Sequence, residues 1–380
     1  MKVTFQIEGG SPVNIECNLG DNLLELARRA NVAIDAPCSG NGSCGKCRVQ
    51  LITGQLDSLK SRHITEEEWE AGWRLSCNSK VLSDCTVLVP DIASAYQSRM
   101  KTADLSSPKE IAIFEDCQRE LKESGIHFDN NFHALDVMMD APTLDDTMPD
   151  NERLVWAIKA QIEVENVKIP YTVMAKLAST LREHDFHVCV KGQRIDDTFY
   201  CMEICDPADT AIVGCAIDIG TTTVTMVFAD LKSGKLLAKG SSGNGQIRYG
   251  ADVINRIIEQ GRQGGKKKLQ DAIIKETLTP IIANLCKSID VSARSILRLC
   301  IGSNTTMNHL LLGVDAQSVR MEPYIPSFFG WDGLLAGDLK LPAHPLAQVR
   351  IAPNIGSYVG GDITAGTLAS LIWDKDEMSL

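Results

Sequence analysis

An α+β and α/β multidomain protein is what this sequence predicts, on three observations. Residues 1–92 alternate with strand period around one short helix and a loop dense in cysteine and glycine. Residues 126–207 mix strand and helix periods with no chemistry-bearing cluster. From residue 211 onward three strands follow one another, and then helices and strands alternate, two of the later strands ending in polar, glycine-containing turns. At 380 residues the chain is long enough for two to four separate cores.

In the first unit, MKVTFQIEG places Val3, Phe5 and Ile7 on one face and PVNIECNLG does the same with Val13, Ile15 and Cys17, which predicts a β-hairpin with Cys17 in its core. Asp21 is a suitable N-cap for a helix whose apolar face is Leu23, Leu24, Leu26, Ala27 and Ala30. The cysteine loop follows, then a strand CRVQLITG. ITEEEWEAGWRL predicts a short helix capped by Thr65, its Glu66, Glu67 and Glu68 favoured by the positive end of the helix dipole and otherwise a solvated face. CTVLVPD is a closing strand. Two strands, helix, loop and two strands make a β-grasp plan.

Cys38, Cys44, Cys47 and Cys77 carry the clearest chemistry. Five residues separate the first two, two the next pair, and twenty-nine precede the fourth. Three thiolates on one tight loop and a fourth from a distant segment are a [2Fe–2S] ligand set, with one residue more in the first gap than the plant-type spacing. Gly40, Gly42 and Gly45 let the backbone wrap a cluster closely. A structural zinc site would be expected to carry two CxxC pairs, and only Cys44-x-x-Cys47 is present. The same loop contains a GxGxxG string, but a phosphate loop needs a strand before it and a helix after it, whereas Lys46 is followed by Cys47 and a strand. The remaining alternative is four inert buried cysteines. Cys85, on a strand eight residues past Cys77, matches no ligand position.

The net charge of −11 argues against general nucleic-acid affinity. No apolar run reaches the length of a membrane span and no signal peptide is read at the start. Thirteen cysteines spread along the chain suit a reducing compartment, so a cytoplasmic protein is expected. Residues 93–125 are expected to be a linker, with a helix around Cys117. In the unit 126–207, Asp150 is expected to cap a helix and Pro170 to open another. Two strands follow, on which Cys201 and Cys205, four apart, are expected to share one core face. With His184, His187 and Cys189 they fit no compact metal-ligand spacing.

The third unit, 208–380, opens on a strand apolar on both faces, as a buried central strand should be. It ends in Asp218-Ile219-Gly220-Thr221-Thr222-Thr223. Gly220 allows close approach of a phosphate, the threonines offer hydroxyl and N–H donors, and Asp218 can hold a Mg2+-bound water. A polar β-hairpin turn is the plain alternative. ILRLCIGSN running into TTMNHLLLGV, and QVRIAPNIG leading to SYVGGDITAG, repeat strand, turn and helix, which is the order of a ribonuclease-H-like fold.

The first unit resembles a plant-type [2Fe–2S] ferredoxin domain, and the third resembles the first lobe of the actin-like ATPases. The latter resemblance implies ATP and Mg2+ contacts at Asp218, Gly220, Thr221, Thr222 and Thr223. The whole order, with DIGTTT, YGADVINRI, GSNTTMNHLLLG and SYVGGDITAG, resembles the ATP-dependent reductive activators of corrinoid proteins. That implies a corrinoid methyltransferase-type partner carrying Co(II) to be reduced to Co(I) and an upstream electron donor, and leaves a homodimer open. The family's second ATPase lobe would begin near DEMSL380, so a fragment of a longer product is expected. Two alternatives remain at this stage. One is a ferredoxin-type electron carrier or oxidoreductase subunit whose ATPase-like lobe only docks a partner; the other is a kinase or chaperone-type ATPase with a redox sensor. No paired carboxylates or Ser/His/Asp arrangement marks a hydrolytic site, and His63, His309 and His344 are expected to be structural.

Overall fold

The computed structural model describes residues 1–8, 12–30, 32, 34, 36, 42–90, 102–103, 108–127, 131–250 and 252–374. Lys2–Ile7 (β1) and Val13–Glu16 (β2) form the expected antiparallel hairpin, with Val3 opposite Ile15 and Phe5 opposite Val13. Arg48–Thr53 (β3), Leu56–Ser58 (β4), Trp73–Leu75 (β5), Ser79–Val81 (β6) and Cys85–Val89 (β7) complete the unit. The main sheet runs β2-β1-β7-β3-β5, with β1 parallel to β7, and β4 pairs with β6. The helix Leu23–Arg29 buries Leu23, Leu24, Leu26 and Ala27 against it.

That helix is capped one residue later than the sequence suggests. Asn22, not Asp21, accepts the N–H groups of Leu24 and Glu25, while Asp21 turns back to the N–H of Asn18. An amide can do here what a carboxylate cannot, because Asn22 also donates Nδ2 to the Cys77 carbonyl at 2.8 Å. At Glu66–Glu70 the cap is Thr65 as expected, in a reciprocal capping box with Glu68.

A helix occupies Pro108–Glu123, and Thr102–Ala103 (β8) is a two-residue strand. Phe132–Met138 (β9), Asn166–Lys168 (β10), His187–Ile195 (β11) and Thr198–Cys205 (β12) form a second sheet in the order β10-β12-β11-β9. Helices Asp150–Gln161, Tyr171–Met174 and Leu177–Glu183 accompany it. Pro149 stands at the N-cap of the first, and Asp150 instead pairs with Arg182 across to the third helix at 2.7 Å.

Cys201 and Cys205 do not share a core face. A β-bulge between Lys191 and Gly192 breaks the register of β11 with β12, so the alternation along β12 changes phase. Cys201 packs with Phe199 and Ile204 in the core, whereas Cys205 is half-buried with its thiol directed at the carbonyls of Cys189 and Asp209.

Val213–Ile219 (β13), Thr223–Asp230 (β14), Leu236–Gly243 (β15), Ile296–Ser303 (β16) and Gln348–Ile351 (β17) build a six-stranded sheet in the order β17-β16-β13-β14-β15-β8. Three antiparallel strands followed by two that run parallel to the first are the ribonuclease-H-like arrangement. The connector strand β8 extends the β15 edge, with Thr102 opposite Gly240. Helices Val253–Gln260, Gly265–Ile273 and Thr279–Ser288 cover one face, where Cys215, Ile217 and Ile219 are buried with Ile257, Leu278 and Leu285. The other face is not closed over β13: Ala216 and Asp218 are exposed and line a cavity shared with Asp362 and Ala365 of the helix Gly361–Ala369.

The second and third sheets share an apolar cluster of Phe132, Met202, Ile212 and Leu297, and beside it an ionic one. Glu203, 6% exposed, takes Lys176 Nζ on Oε1 at 2.5 Å, and both Arg294 Nη2 and His344 Nε2 on Oε2, at 2.7 and 2.9 Å. Burial alone would raise its pKa, but the hydrogen bonds from His344 and Lys176 and the charge of Arg294 outweigh it and hold the carboxyl at about 2.

Candidate functional sites: a cysteine loop and a threonine turn

The cysteine loop ends against the 3-10 turn Ser76–Asn78, and there Cys47 Sγ lies 3.2 Å from Cys77 Sγ. Cys47 is 1% exposed and Cys77 partly open, and Ser76 donates its N–H to the Cys47 carbonyl, locking the two segments together. Cys44 is partly exposed on the same loop, and Cys38 and Gly40 lie outside the described residues. Among the described residues no group of three or more His, Cys, Asp or Glu converges as single-ion ligands do. The donor chemistry suits a cluster: two thiols held at this separation without a disulfide can serve one tetrahedral iron. Cys85 sits apart on β7, its thiol pushed up to about 11 by burial, then by the charges of Cys17 and Asp84.

Two features of this loop were legible only in part. Gly42 and Gly45 take positive φ, +77° and +66°, and a Cβ on Gly45 would fall 2.4 Å from His63 Cγ. The bracing was not foreseen. His63 Nε2 lies 3.0 Å from the Ser43 carbonyl, Arg48 donates to the His63 carbonyl at 2.6 Å, and Arg48 forks onto both oxygens of Glu68 at 3.0 and 2.8 Å. Glu68 therefore belongs to the loop's support rather than to a free acidic face; the Arg48 and Thr65 hydrogen bonds hold its carboxyl below the usual range. An arginine just past the last loop cysteine, followed by a distant glutamate, was the available signal.

The second site is the turn between β13 and β14. Its three carbonyls are all taken from behind. Gly220 O accepts Asn244 Nδ2 at 2.9 Å, Thr221 O accepts Arg256 Nη2 at 2.5 Å, and Thr222 O accepts the Asn244 N–H at 2.8 Å. A Cβ at position 220 would meet the Thr223 carbonyl at 2.7 Å, which is why glycine stands there. Thr222 and Thr223 are exposed, and Asp218 and Asp362 line a cavity of about 570 Å3 with Gly302, Arg350 and Ala365. Burial raises the pKa of Asp218, and the charge of Asp362 raises it further.

The turn after β16 closes the site. Asn304 caps the helix Thr305–Leu312 by accepting the Met307 N–H, and Asn308 links Ser303 Oγ, at 2.7 Å, to Asn354 Oδ1, at 2.9 Å. Gly360 crosses so closely that a Cβ there would lie 2.3 Å from the Ser303 carbonyl. Two histidines outside the sites are held by packing contacts: His309 is buried between the Thr305 carbonyl and the Ser327 N–H, and His344 sits on Glu203. No helix among the described residues is long and apolar enough to cross a membrane.

Known proteins resemble the chain along all three units. The 2Fe-2S iron-sulfur cluster binding domain family matches residues 6–82, so the first unit is a [2Fe–2S] domain. The RACo linker region family matches residues 121–197 and the RACo middle region family residues 213–375. A corrinoid activation enzyme, RamQ, of Eubacterium limosum is 36% identical over 191 residues, half of this chain and 31% of its own length. A component of the Na(+)-translocating NADH-quinone reductase of Pseudoalteromonas atlantica is 33% identical over 92 residues, 24% of this chain and 22% of its own. A solved structure of a reductive activator for corrinoid, iron-sulfur protein superposes with a TM-score of 0.57 at 30% identity, covering 99% of this chain and 59% of that one. The chain thus spans about a third of the RamQ relative and well under two thirds of the solved chain. With a cluster domain followed by both RACo regions, and nearly its whole length superposed on a solved reductive activator, the chain belongs to the RACo-type family.

Proposed function

We propose that this chain is an electron-transferring reductive activator that takes an electron from an upstream donor and delivers it to the Co(II) corrinoid of a methyltransferase-type partner, with ATP and Mg2+ coupling the step. The observation that carries the proposal is the presence in one chain of the Cys47–Cys77 apposition and a donor-bearing turn backed on every carbonyl, in a fold matching a solved reductive activator along 99% of its residues. We further propose the units 1–92, 93–125, 126–207 and 208–380, a cytoplasmic setting, and room for a homodimer.

Cys38, Cys44, Cys47 and Cys77 are the proposed ligands, with Cys47 and Cys77 on one iron because their sulfurs already meet. A plant-type [2Fe–2S] centre supplies a one-electron carrier at roughly −400 mV. The chain's own contribution is to hold the loop rigid through Arg48, Glu68 and His63. At the other site Asp218 is the proposed acceptor for a Mg2+-bound water, and Gly220, Thr221, Thr222 and Thr223 the donors to a nucleotide's phosphates. A shortfall of about 59 mV costs tenfold in a one-electron equilibrium, so nucleotide has to bind the transfer-competent state more tightly than the idle one.

The test follows cobalamin absorbance in the partner with reduced protein. Co(I) should accumulate with MgATP and an intact cluster. Equal accumulation without nucleotide would leave an electron carrier whose third unit only docks the partner; accumulation without the cluster would sink the electron-transfer reading itself.

A further inference from the structure

Arg256, on the helix Val253–Gln260, is fully buried, yet among the described residues no carboxylate contacts it. Each of its three nitrogens donates to a neutral acceptor: Nη2 to the Thr221 carbonyl at 2.5 Å, Nε to the Gly250 carbonyl at 2.9 Å, and Nη1 toward Met307 Sδ at 3.3 Å. Of the two acids on either side of it in sequence, Asp252 spends both oxygens on Asn255, at 2.8 Å each, and Glu259 pairs with Arg262 at 2.9 Å and Lys268 at 3.6 Å. Burial pushes the guanidinium down to about 9, against the small opposing pull of Asp252. A buried charge without a counter-charge is expensive, and an apolar side chain of similar size would fill the same space without that cost.

The Thr221–Thr223 turn lies directly in front of this charge. With the carbonyls of Gly220, Thr221 and Thr222 all bonded backward, the N–H groups of Thr221 and Thr222 make no hydrogen bond among the described residues, and neither do the hydroxyls of Thr221, Thr222 and Thr223. Outward donors with a buried cation behind them form a site for an oxyanion, whose negative charge would complete the missing ion pair. We propose that Arg256 supplies the electrostatic half of this anion site, and that it acts through the Thr221 carbonyl, as a positioning residue, on the terminal phosphates of a bound nucleotide. This rests on the nucleotide reading above and adds to it a residue on a different element, with a role that depends on charge.

The test is calorimetric titration of the 380-residue chain with MgATP and, separately, with pyrophosphate, for wild type, Arg256→Lys, Arg256→Gln and Arg256→Met, with thermal melting of each. Arg256→Lys keeps the charge and loses the fork; the other two lose the charge, one polar and one apolar, so that a folded charge-free variant is available. Expected are affinities within about threefold of wild type for Arg256→Lys, and losses of about tenfold or more for both ligands in Arg256→Gln and Arg256→Met at melting temperatures near wild type. Equal losses in all three, or wild-type affinity in a folded charge-free variant, would overturn the role of the charge while leaving the nucleotide site standing. A wild-type chain that binds neither ligand would overturn the nucleotide reading, and this inference with it.

Discussion

Asp218 and Asp362 line one cavity, Asp218 at the end of β13 and Asp362 in the first turn of the helix Gly361–Ala369, so that the charge of Asp362 makes Asp218 harder to ionise. Because burial and then Asp362 raise the folded pKa of Asp218, its ionisation opposes folding, and the penalty appears as pH rises through the carboxylate range. Asp218→Asn should therefore melt like wild type near pH 4 and progressively higher than wild type toward pH 7. It should at the same time lose Mg2+-dependent ATP binding. Melting curves across that range, paired with calorimetry, check both; a variant less stable than wild type at pH 7 would contradict the reading.

Cys47→Ser should abolish the visible absorption of a [2Fe–2S] centre, whereas Cys85→Ser should leave it at full intensity, since Cys85 is buried on β7 away from the loop. Absorption spectra after identical reconstitution decide it. A full spectrum from the first variant would overturn the ligand assignment.

Glu203 should show itself in acid. Its folded pKa of about 2 lies below that of a free glutamate, so its stabilisation is complete above about pH 4.3 and is lost as pH falls toward 2. Glu203→Gln should cost roughly 2–4 kcal/mol at pH 7 and flatten the acid limb of the stability curve between those values. Denaturant melts at pH 7 and pH 3 measure the difference; an equal gap between variant and wild type at both would count against it.

Gly360→Ala would set a Cβ 2.3 Å from the Ser303 carbonyl and 2.4 Å from Asn304 Cα, both backbone atoms that cannot swing aside. We expect about 2 kcal/mol of destabilisation or more and weakened MgATP binding, with the [2Fe–2S] spectrum unchanged because the cluster domain has its own apolar core. Loss of the spectrum would show that the two ends of the chain depend on each other for folding.

What the sequence made legible was local. The CxxC of the cysteine loop, the Thr65 capping box and the β13–β14 turn each lie within a few residues, and periodicity located the strands around them. What escaped depended on distant partners. Asn22 outcompetes Asp21 as a cap because of the Cys77 carbonyl, 55 positions away. One bulge at Lys191–Gly192 undoes the face-sharing of Cys201 and Cys205, since alternation counts residues and a bulge inserts one. Arg256 reads from sequence as an ordinary helical arginine, and only the packed turn in front of it shows a cation with no acid. The openness of β13 at Ala216 and Asp218 was hidden because small residues read as apolar whether or not anything fills the space beside them.

The two-residue strand Thr102–Ala103 carries a consequence for the reach of the cluster domain. By pairing with β15 it pins the connector to the edge of the third sheet, so the cluster domain is tethered from Thr102 rather than from the helix that follows. The twelve peptide steps from Pro90 to Thr102 cannot exceed ~3.6 Å each, or roughly 43 Å in all. That length bounds how far Pro90, at the end of the cluster domain, can stand from the β8 anchor. Each residue added to the connector would raise that limit by up to ~3.6 Å.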